Sequence, residues 1–258
     1  MLASRLSLIE LLAALLDREI VVVCGLPAVG KSDLLARLAA RCDALGHPVS
    51  LLLWDSIRIR VESVCGTSGR DQATEEVRRL AGAWSRGAIG RWARERAPGS
   101  RMMVEAPLIG GRLSELAQPQ DDDAEALLAR ALFVVPVPSV DLRRQMIHER
   151  HETHERGNGP TPVDAPARVI ASLWTEMRAA ARALAIDDSP DYSPALYAGV
   201  YQYALRHRDI RILDVVRLDD PRPASADPSE HIPSHPEVRA LMSVVTGAHT
   251  LRAVWYAP

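Results

Sequence analysis

The chain has 258 residues, 47% of them hydrophobic and 25% charged, enough to bury a substantial core in one large or two small domains. Its 31 basic and 33 acidic residues leave a formal net charge of -2, so no strong overall field recruits nucleic acid or anionic lipid. Three cysteines, Cys24, Cys42 and Cys65, are too few for a disulfide framework and fit a reducing cytoplasmic setting. All but one of the basic residues are arginine; the single lysine is Lys31.

Taken in chain order, the elements alternate short apolar runs with longer helical patterns, which implies an α/β protein with a largely parallel sheet. Leu8, Leu11, Leu12, Leu15 and Leu16 follow helical spacing behind a Ser7/Glu10 capping box, so the N-terminus reads as an amphipathic helix. Glu10 and the Asp17-Arg18-Glu19 stop argue against a secretion signal, and no apolar run reaches the ~20 residues of a membrane span. Ile20–Cys24 is a β-branched first strand, and residues 33–45 form a helix closed by Gly46 and Pro48. Residues 49–54 give strand two, stopped by Asp55. The arginine-rich stretch 74–96 reads as two helices broken near Gly87–Gly90. Residues 101–104 give strand three, ending at Glu105, and Asp121–Asp123 precede another helix. Residues 132–135 give strand four, stopped by Pro136 and Pro138. Helices follow over about 140–155, 165–185 and 194–207, then strand five over 210–216. A Pro-rich loop over 221–236 leads to a last helix and an apolar tail.

Gly25-Leu26-Pro27-Ala28-Val29-Gly30-Lys31-Ser32 matches G-x-x-x-x-G-K-[ST], the phosphate-binding loop, between a β-branched strand and an amphipathic helix. The glycines let successive backbone N–H groups point inward at phosphate oxygens, and the helix N-terminus adds partial positive charge. In this chemistry Lys31 meets the β- and γ-phosphates and Ser32 binds Mg2+, so residues 25–33, with Asp33 in the first helical turn, are the candidate nucleoside-triphosphate site. A GTPase reading fails because an Asn-Lys-x-Asp motif is impossible with one lysine and one asparagine, Asn158. The transporter signature Leu-Ser-Gly-Gly-Gln has no counterpart; the nearest string is Leu108-Ile109-Gly110-Gly111-Arg112. No hydrophobic run ends in the Asp-Glu of helicases and AAA+ proteins.

Over residues 20–216 the chain resembles the small P-loop kinases of the adenylate-kinase-like group, in particular the branch of zeta toxins, chloramphenicol phosphotransferase and seryl-tRNA kinase. The resemblance implies a three-layer P-loop NTPase fold with a mainly parallel five-stranded sheet and a helical lid insertion. It places the core over 1–218, with substrate-binding helices at about 57–100 and a lid at about 139–207, while 219–258 pack on the core. It implies that Asp55 beyond strand two acts as general base on an acceptor hydroxyl, with Arg58 beside it. Glu105 is placed at the Mg2+ or at the substrate, and is the alternative base; Arg112 follows as a substrate contact. Arginines of the lid segment, Arg143 and Arg150 sharing a face with Arg144 and Arg156 nearby, are placed to neutralise the transferring phosphoryl group, with Gly157–Pro160 as a hinge.

The same helix carries His148, His151 and His154, which without a completing ligand read as surface histidines rather than a zinc site. Tyr192, Tyr197, Tyr201 and Tyr203 crowd twelve residues; helical packing accounts for the pair Tyr197 and Tyr201, and base stacking is the alternative. The expectation is therefore an ATP- and Mg2+-dependent phosphotransferase acting on a hydroxyl of a small molecule. It is cytoplasmic, a monomer or homodimer, with no membrane or nucleic-acid partner. The alternatives are a kinase of a sugar nucleotide or RNA end, or a nucleotide-dependent regulatory ATPase.

Overall fold

The computed structural model describes residues 5–6, 14, 17–68, 73–155, 166–186, 189–215 and 229–245. In chain order these give β1 (Arg5–Leu6), β2 (Ile20–Cys24), α1 (Lys31–Ala44), β3 (Val49–Leu53), α2 (Trp54–Cys65), α3 (Glu75–Glu95) and β4 (Arg101–Ala106). Two short 3-10 turns follow, then α4 (Glu125–Leu128), β5 (Leu132–Pro138), α5 (Val140–Glu155), α6 (Ala167–Ala183) and α7 (Pro194–Ala204). The last elements are β6 (Asp209–Val215), β7 (Ser229–Glu230) and α8 (His235–Val245). The strands form one sheet in the order β1-β6-β5-β2-β4-β3-β7, and every neighbouring pair is parallel. Five strands of five to seven residues carry the sheet; β1 and β7 are two-residue additions at its edges.

A parallel strand covered on both faces should be apolar throughout, and Ile20-Val21-Val22-Val23-Cys24 is buried at all five positions. Alternate residues serve opposite faces. Val21 and Val23, with Met103, Leu132 and Val134, pack under Leu34, Leu35 and Leu38 of α1. Ile20, Val22 and Cys24, with Met102, Val104 and Phe133, meet Trp84 and Ile89 of α3, Met177 of α6 and Tyr197 and Tyr201 of α7. The result is helix, sheet, helix, with the carboxyl ends of β2, β3, β4 and β5 opening to one edge, where ligands of open α/β sheets bind. No helix among the described residues is long and apolar enough to cross a membrane.

Several local expectations change. Residues 75–95 form one uninterrupted helix, because Gly87 and Gly90 do not break it: a Cβ on Gly90 would lie 3.1 Å from the Asp123 Cβ, so the small residue lets the 121–124 turn approach. Strand β5 runs through both prolines. Its ladder with β2 ends at Val134 while that with β6 continues to Pro138, so past Val134 no β2 partner demands a donor. Strand β4 likewise continues through Glu105, which is paired with Val23 and Leu53. Asp55 does not merely close a strand; it stands in the first turn of α2, where an acidic side chain suits the helix dipole. The helix after Asp121–Asp123 is a single turn. At the N-terminus Arg5–Leu6 pair with β6 as a strand. The expected leucine-rich face lies outside the described residues, as do Arg156, the Gly157–Pro160 hinge, the first half of the 221–236 loop and the final tail.

The connection from β4 to β5 is stapled by two buried arginines. Arg86 donates to Asp122 at 2.6 and 2.7 Å, to Glu125 at 2.9 Å and to the Glu115 carbonyl at 2.8 Å. Arg208 donates to Glu125 at 2.6 Å and to the Leu116 and Gln118 carbonyls at 3.0 and 2.6 Å. Burial pushes the Glu125 carboxyl up, but the hydrogen bonds from Arg208 and Arg86 outweigh it and carry it down from 4.5 to about 2. A depressed carboxylate contributes stability above its ordinary range and loses it as pH falls toward the folded value. Replacing Glu125 with glutamine should therefore lower unfolding stability by about 3 kcal/mol at pH 7, read by urea denaturation, because the buried Arg208 loses the carboxylate it is paired with while Arg86 keeps Asp122. The gap to wild type should narrow as pH falls from 4.5 toward 2.

Candidate functional site

The loop between β2 and α1 occupies the centre of the open edge. Its shape rests on residues in left-handed or otherwise glycine-favouring conformations: Gly25 at φ 148°, Ala28 at 57° and Gly30 at 87°. A Cβ on Gly25 would overlap the Tyr197 hydroxyl and lie 2.9 Å from Val29 Cγ2, so the glycine is required by what packs behind the loop as well as by its own φ. Val29 is fully buried and anchors the loop to the core, while Pro27 is half-buried at its turn. Gly30 begins α1 with no side-chain cap, which leaves the first backbone N–H groups of that helix free of a capping side chain. Asp33, expected among the phosphate contacts, pairs with Arg37 at 2.9 Å along the helix itself.

Lys31 is 7% exposed, and its Nζ donates to the Leu26 carbonyl at 2.9 Å, bridging the ends of the loop. The same ammonium stands 3.4 Å from Glu105 Oε1, and Ser32 Oγ donates to Glu105 Oε2 at 3.2 Å. Thus the pairing of β4 beside β2 brings Glu105 to both loop residues that the sequence assigned to phosphate and metal. Asp55 arrives from the next strand over. Burial raises its carboxyl above the ordinary carboxylate value, Arg58 opposes the rise, the Glu105 charge adds to it and Lys31 opposes it. Arg58 is the hinge of a small acidic cluster, 3.4 Å from Asp55 and 3.0 Å from the buried Glu62, so it orients Asp55 from within α2.

On the other side of the loop the structure gathers residues whose roles composition and motif spacing did not reveal. A Cβ on Gly30 would lie 3.6 Å from Met146 Cε, so α5 packs against the loop. Arg143, three residues earlier on α5, is buried with its guanidinium 4.4 Å from the Tyr192 ring centroid and 5.8 Å from that of Trp174. The rings of Trp174, Tyr192, Tyr197 and Tyr201 follow one another at centroid distances of 5.4, 5.7 and 5.0 Å. Tyr201 donates to the Pro107 carbonyl at 2.6 Å, which ties α7 to the loop after β4. That loop carries Arg112, buried, donating through Nη1 to the Ile109 carbonyl at 2.8 Å and to Glu176 at 3.1 Å. The crowding of Tyr192, Tyr197 and Tyr201 was the sequence signal for this wall, and the i,i+4 pair Tyr197 and Tyr201 packs as helical neighbours.

Of the remaining candidates, Arg144 pairs with Asp141 at 3.0 Å on the exposed face of α5, and His148 is exposed beside Glu152. Arg150 lies on α5, within its backbone span, and its side chain is outside the described residues. Among the described residues no group of three or more His, Cys, Asp or Glu is placed to hold a metal.

The strand order and the loop between β2 and α1 make this a P-loop NTPase-type α/β fold. No family model matches the chain, and none of the curated proteins compared with it does. Among solved structures, a putative kinase from Chloroflexus aurantiacus j-10-fl is similar at TM-score 0.37 and 16% identity, covering 90% of this chain and 99% of that one.

The packing of Tyr197 behind Gly25 can be tested directly. Gly25→Ala should destabilise the fold by about 1–3 kcal/mol, through the strained φ and the overlap with the Tyr197 hydroxyl. Adding Tyr197→Phe should return part of that loss in a double-mutant cycle followed by thermal unfolding.

Proposed function

We propose that this protein transfers the terminal phosphoryl group of ATP to a hydroxyl of a small molecule. One observation carries the reading: the chain's only lysine is buried at the start of α1, tied to Leu26 and Glu105, beside Ser32 and within electrostatic reach of a half-buried Asp55. The triphosphate would lie on the backbone of Gly25, Pro27, Ala28, Val29 and Gly30, with Lys31 and the open N-terminus of α1 supplying positive charge. Adenine rather than guanine is taken from the resemblance to the small P-loop kinases together with the lack of an Asn-Lys-x-Asp motif.

Ser32 Oγ and the Glu105 carboxylate are two hard oxygen donors 3.2 Å apart, a pair that fits Mg2+ completed by phosphate oxygens and water. When bound, Mg2+ would neutralise charge on the phosphate oxygens. Asp55 would accept the proton of the acceptor hydroxyl as that oxygen bonds to the γ-phosphorus. The bond from the γ-phosphorus to its bridging oxygen breaks, and ADP leaves with that electron pair. Arg58 would hold the Asp55 carboxylate in place for this step. Segments α2 and α3 would flank the acceptor, and α5 to α7 would form the lid, bringing the further positive charge of the α5 arginines.

The test is incubation with γ-labelled ATP, Mg2+ and a small-molecule extract of the host. Label should appear in a discrete metabolite with wild type and not with Lys31→Ala. Asp55→Asn should lower kcat by about 10²–10⁴-fold with little change in nucleotide KM. Because a base works deprotonated, wild-type activity should fall on the acid side, with the limb displaced above the ordinary carboxylate range by the burial of Asp55. Label released only as inorganic phosphate, at a rate the extract does not change, would instead favour a nucleotide-dependent switch.

A further inference from the structure

Glu62 is the one acidic residue among the described residues that is almost wholly buried, at 4% exposed, and it stands on α2 next to the fully buried Val61. Both of its carboxylate oxygens accept from Arg58 Nη1, at 3.1 and 3.0 Å. The ion pairs of the buried Arg86, Arg208 and Arg112 join distant parts of the chain. The first two tie α3 and the start of β6 to Asp122 and Glu125, and the third ties the loop after β4 to α6. Arg58 and Glu62 lie four residues apart on one helix, so their pairing fastens α2 to nothing else. A buried carboxylate costs more to desolvate than an i,i+4 pair contributes to a helix, so stability of the fold does not account for this glutamate.

What the pair does fix is the place of the guanidinium. Asp55, Arg58 and Glu62 stand at i, i+3 and i+7 on one face of α2. With Nη1 held by Glu62, Arg58 turns Nε toward Asp55 Oδ1 at 3.4 Å, longer than the ~2.9 Å of an ordinary N–H···O bond. The sharing is unequal, tight to Glu62 and loose to Asp55. An arginine with no rival acceptor closes on a carboxylate with two parallel N–H···O bonds. Glu62 is that rival.

The other charged groups nearby do not take over this task. Those that bear on Asp55 are Arg58 of its own helix, Glu105 of β4 and Lys31 of α1, and Lys31 is engaged by the Leu26 carbonyl and Glu105. Where α3 and α8 meet α2, Glu76 bears on Cys65 and His235 stands 3.3 Å from Arg60. Among the described residues Arg58 is thus the one cation in ion-pair contact with Asp55, and its distance sets how far that carboxylate is neutralised. A fully paired carboxylate is a weaker base, and an unpaired one is free to turn.

We propose that Glu62 is a positioning residue for the transfer step: it anchors the Arg58 guanidinium so that Asp55 is steadied but not neutralised. This rests on the phosphotransfer reading, in which Asp55 takes the proton of the acceptor hydroxyl. In this role Glu62 touches neither substrate nor nucleotide and acts on Asp55 through Arg58 alone. Glutamine in its place keeps the volume and one acceptor oxygen, but not the charge that keeps Arg58 from closing on Asp55.

The test uses the full chain with γ-labelled ATP at saturation, Mg2+ and the small-molecule extract of the host, and reads the rate of label transfer into product. Glu62→Gln should slow transfer about tenfold at pH 7 with the apparent KM for ATP unchanged. The acid limb of the pH–rate profile should move to lower pH, because Arg58 closes on Asp55 and lowers its proton affinity. In the Asp55→Asn background the same change should alter the residual rate by less than about twofold. Glu62→Asp, which keeps the charge but shortens its reach, should show smaller effects of the same kind. It carries the test if circular dichroism and melting show that Glu62→Gln does not fold. A folded Glu62→Gln chain with the wild-type rate, or with a slower rate and an unmoved limb, would overturn the proposal. An equal loss in the wild-type and Asp55→Asn backgrounds would mark a structural role and overturn it as well. A wild-type chain that transfers no label to any component of the extract would sink the phosphotransfer reading itself, and this role with it.

Discussion

A lysine at the first residue of a helix stands where the helix dipole is positive, and burial adds a desolvation cost. Lys31 is in that position, and the surrounding structure is arranged to hold it there. The Leu26 carbonyl receives its ammonium from inside the loop, and Glu105 faces it from the adjacent strand. Both contacts depend on the strand order, because only a β4 laid directly beside β2 puts Glu105 at the mouth of the loop. In a chain whose other basic residues are all arginine, a compact ammonium at this one point is what a crowded loop of converging N–H groups can accommodate.

From that contact the rest of the site can be followed outward in two directions. Toward β3, the acidic pair Asp55 and Glu62 is bridged by Arg58, which leaves the half-buried Asp55 carboxylate oriented near the loop. Toward β5, α7 and the turn before it present an aromatic wall that touches the loop through Tyr197, the post-β4 segment through Tyr201 and α5 through Tyr192. Beneath both, the Arg86 and Arg208 staple fixes the connection between β4 and β5. The segment after β4 holds Leu108, Gly110, Gly111 and Leu113 at positive φ, and the two leucines there are strained backbone maintained by full burial of their side chains.

What could be read from the sequence was what local chemistry encodes. The β-branched run before the loop, the glycines and lysine within it, and the leucine face of α1 are consecutive residues with a shared period, and they fold as that period requires. The five main strands were legible for the same reason. Gly87, Gly90, Pro136 and Pro138 misled because their meaning is set by partners distant in sequence: Asp123 against α3, and a β2 ladder that ends at Val134. Asp55 and Glu105 could be picked out by their place after strands, yet their common neighbourhood with Lys31 exists only once three strands are side by side. Arg143 was visible as one arginine among several on a charged helix. That it alone of the buried arginines has no carboxylate partner among the described residues follows from the packing of α5, α6 and α7, for which no periodicity gives a sign.

The central claim is that the loop around Lys31 is a receptor for nucleotide phosphates. The most direct measurement is an isothermal titration of the wild-type chain with ATP in the presence and absence of Mg2+, repeated with Lys31→Ala and Glu105→Gln. The account requires saturable binding by wild type, tightened by Mg2+. Lys31→Ala should lose that binding, and Glu105→Gln should lose most of the Mg2+ effect. Equal binding by wild type and a folded Lys31→Ala chain, or none by wild type, would contradict it.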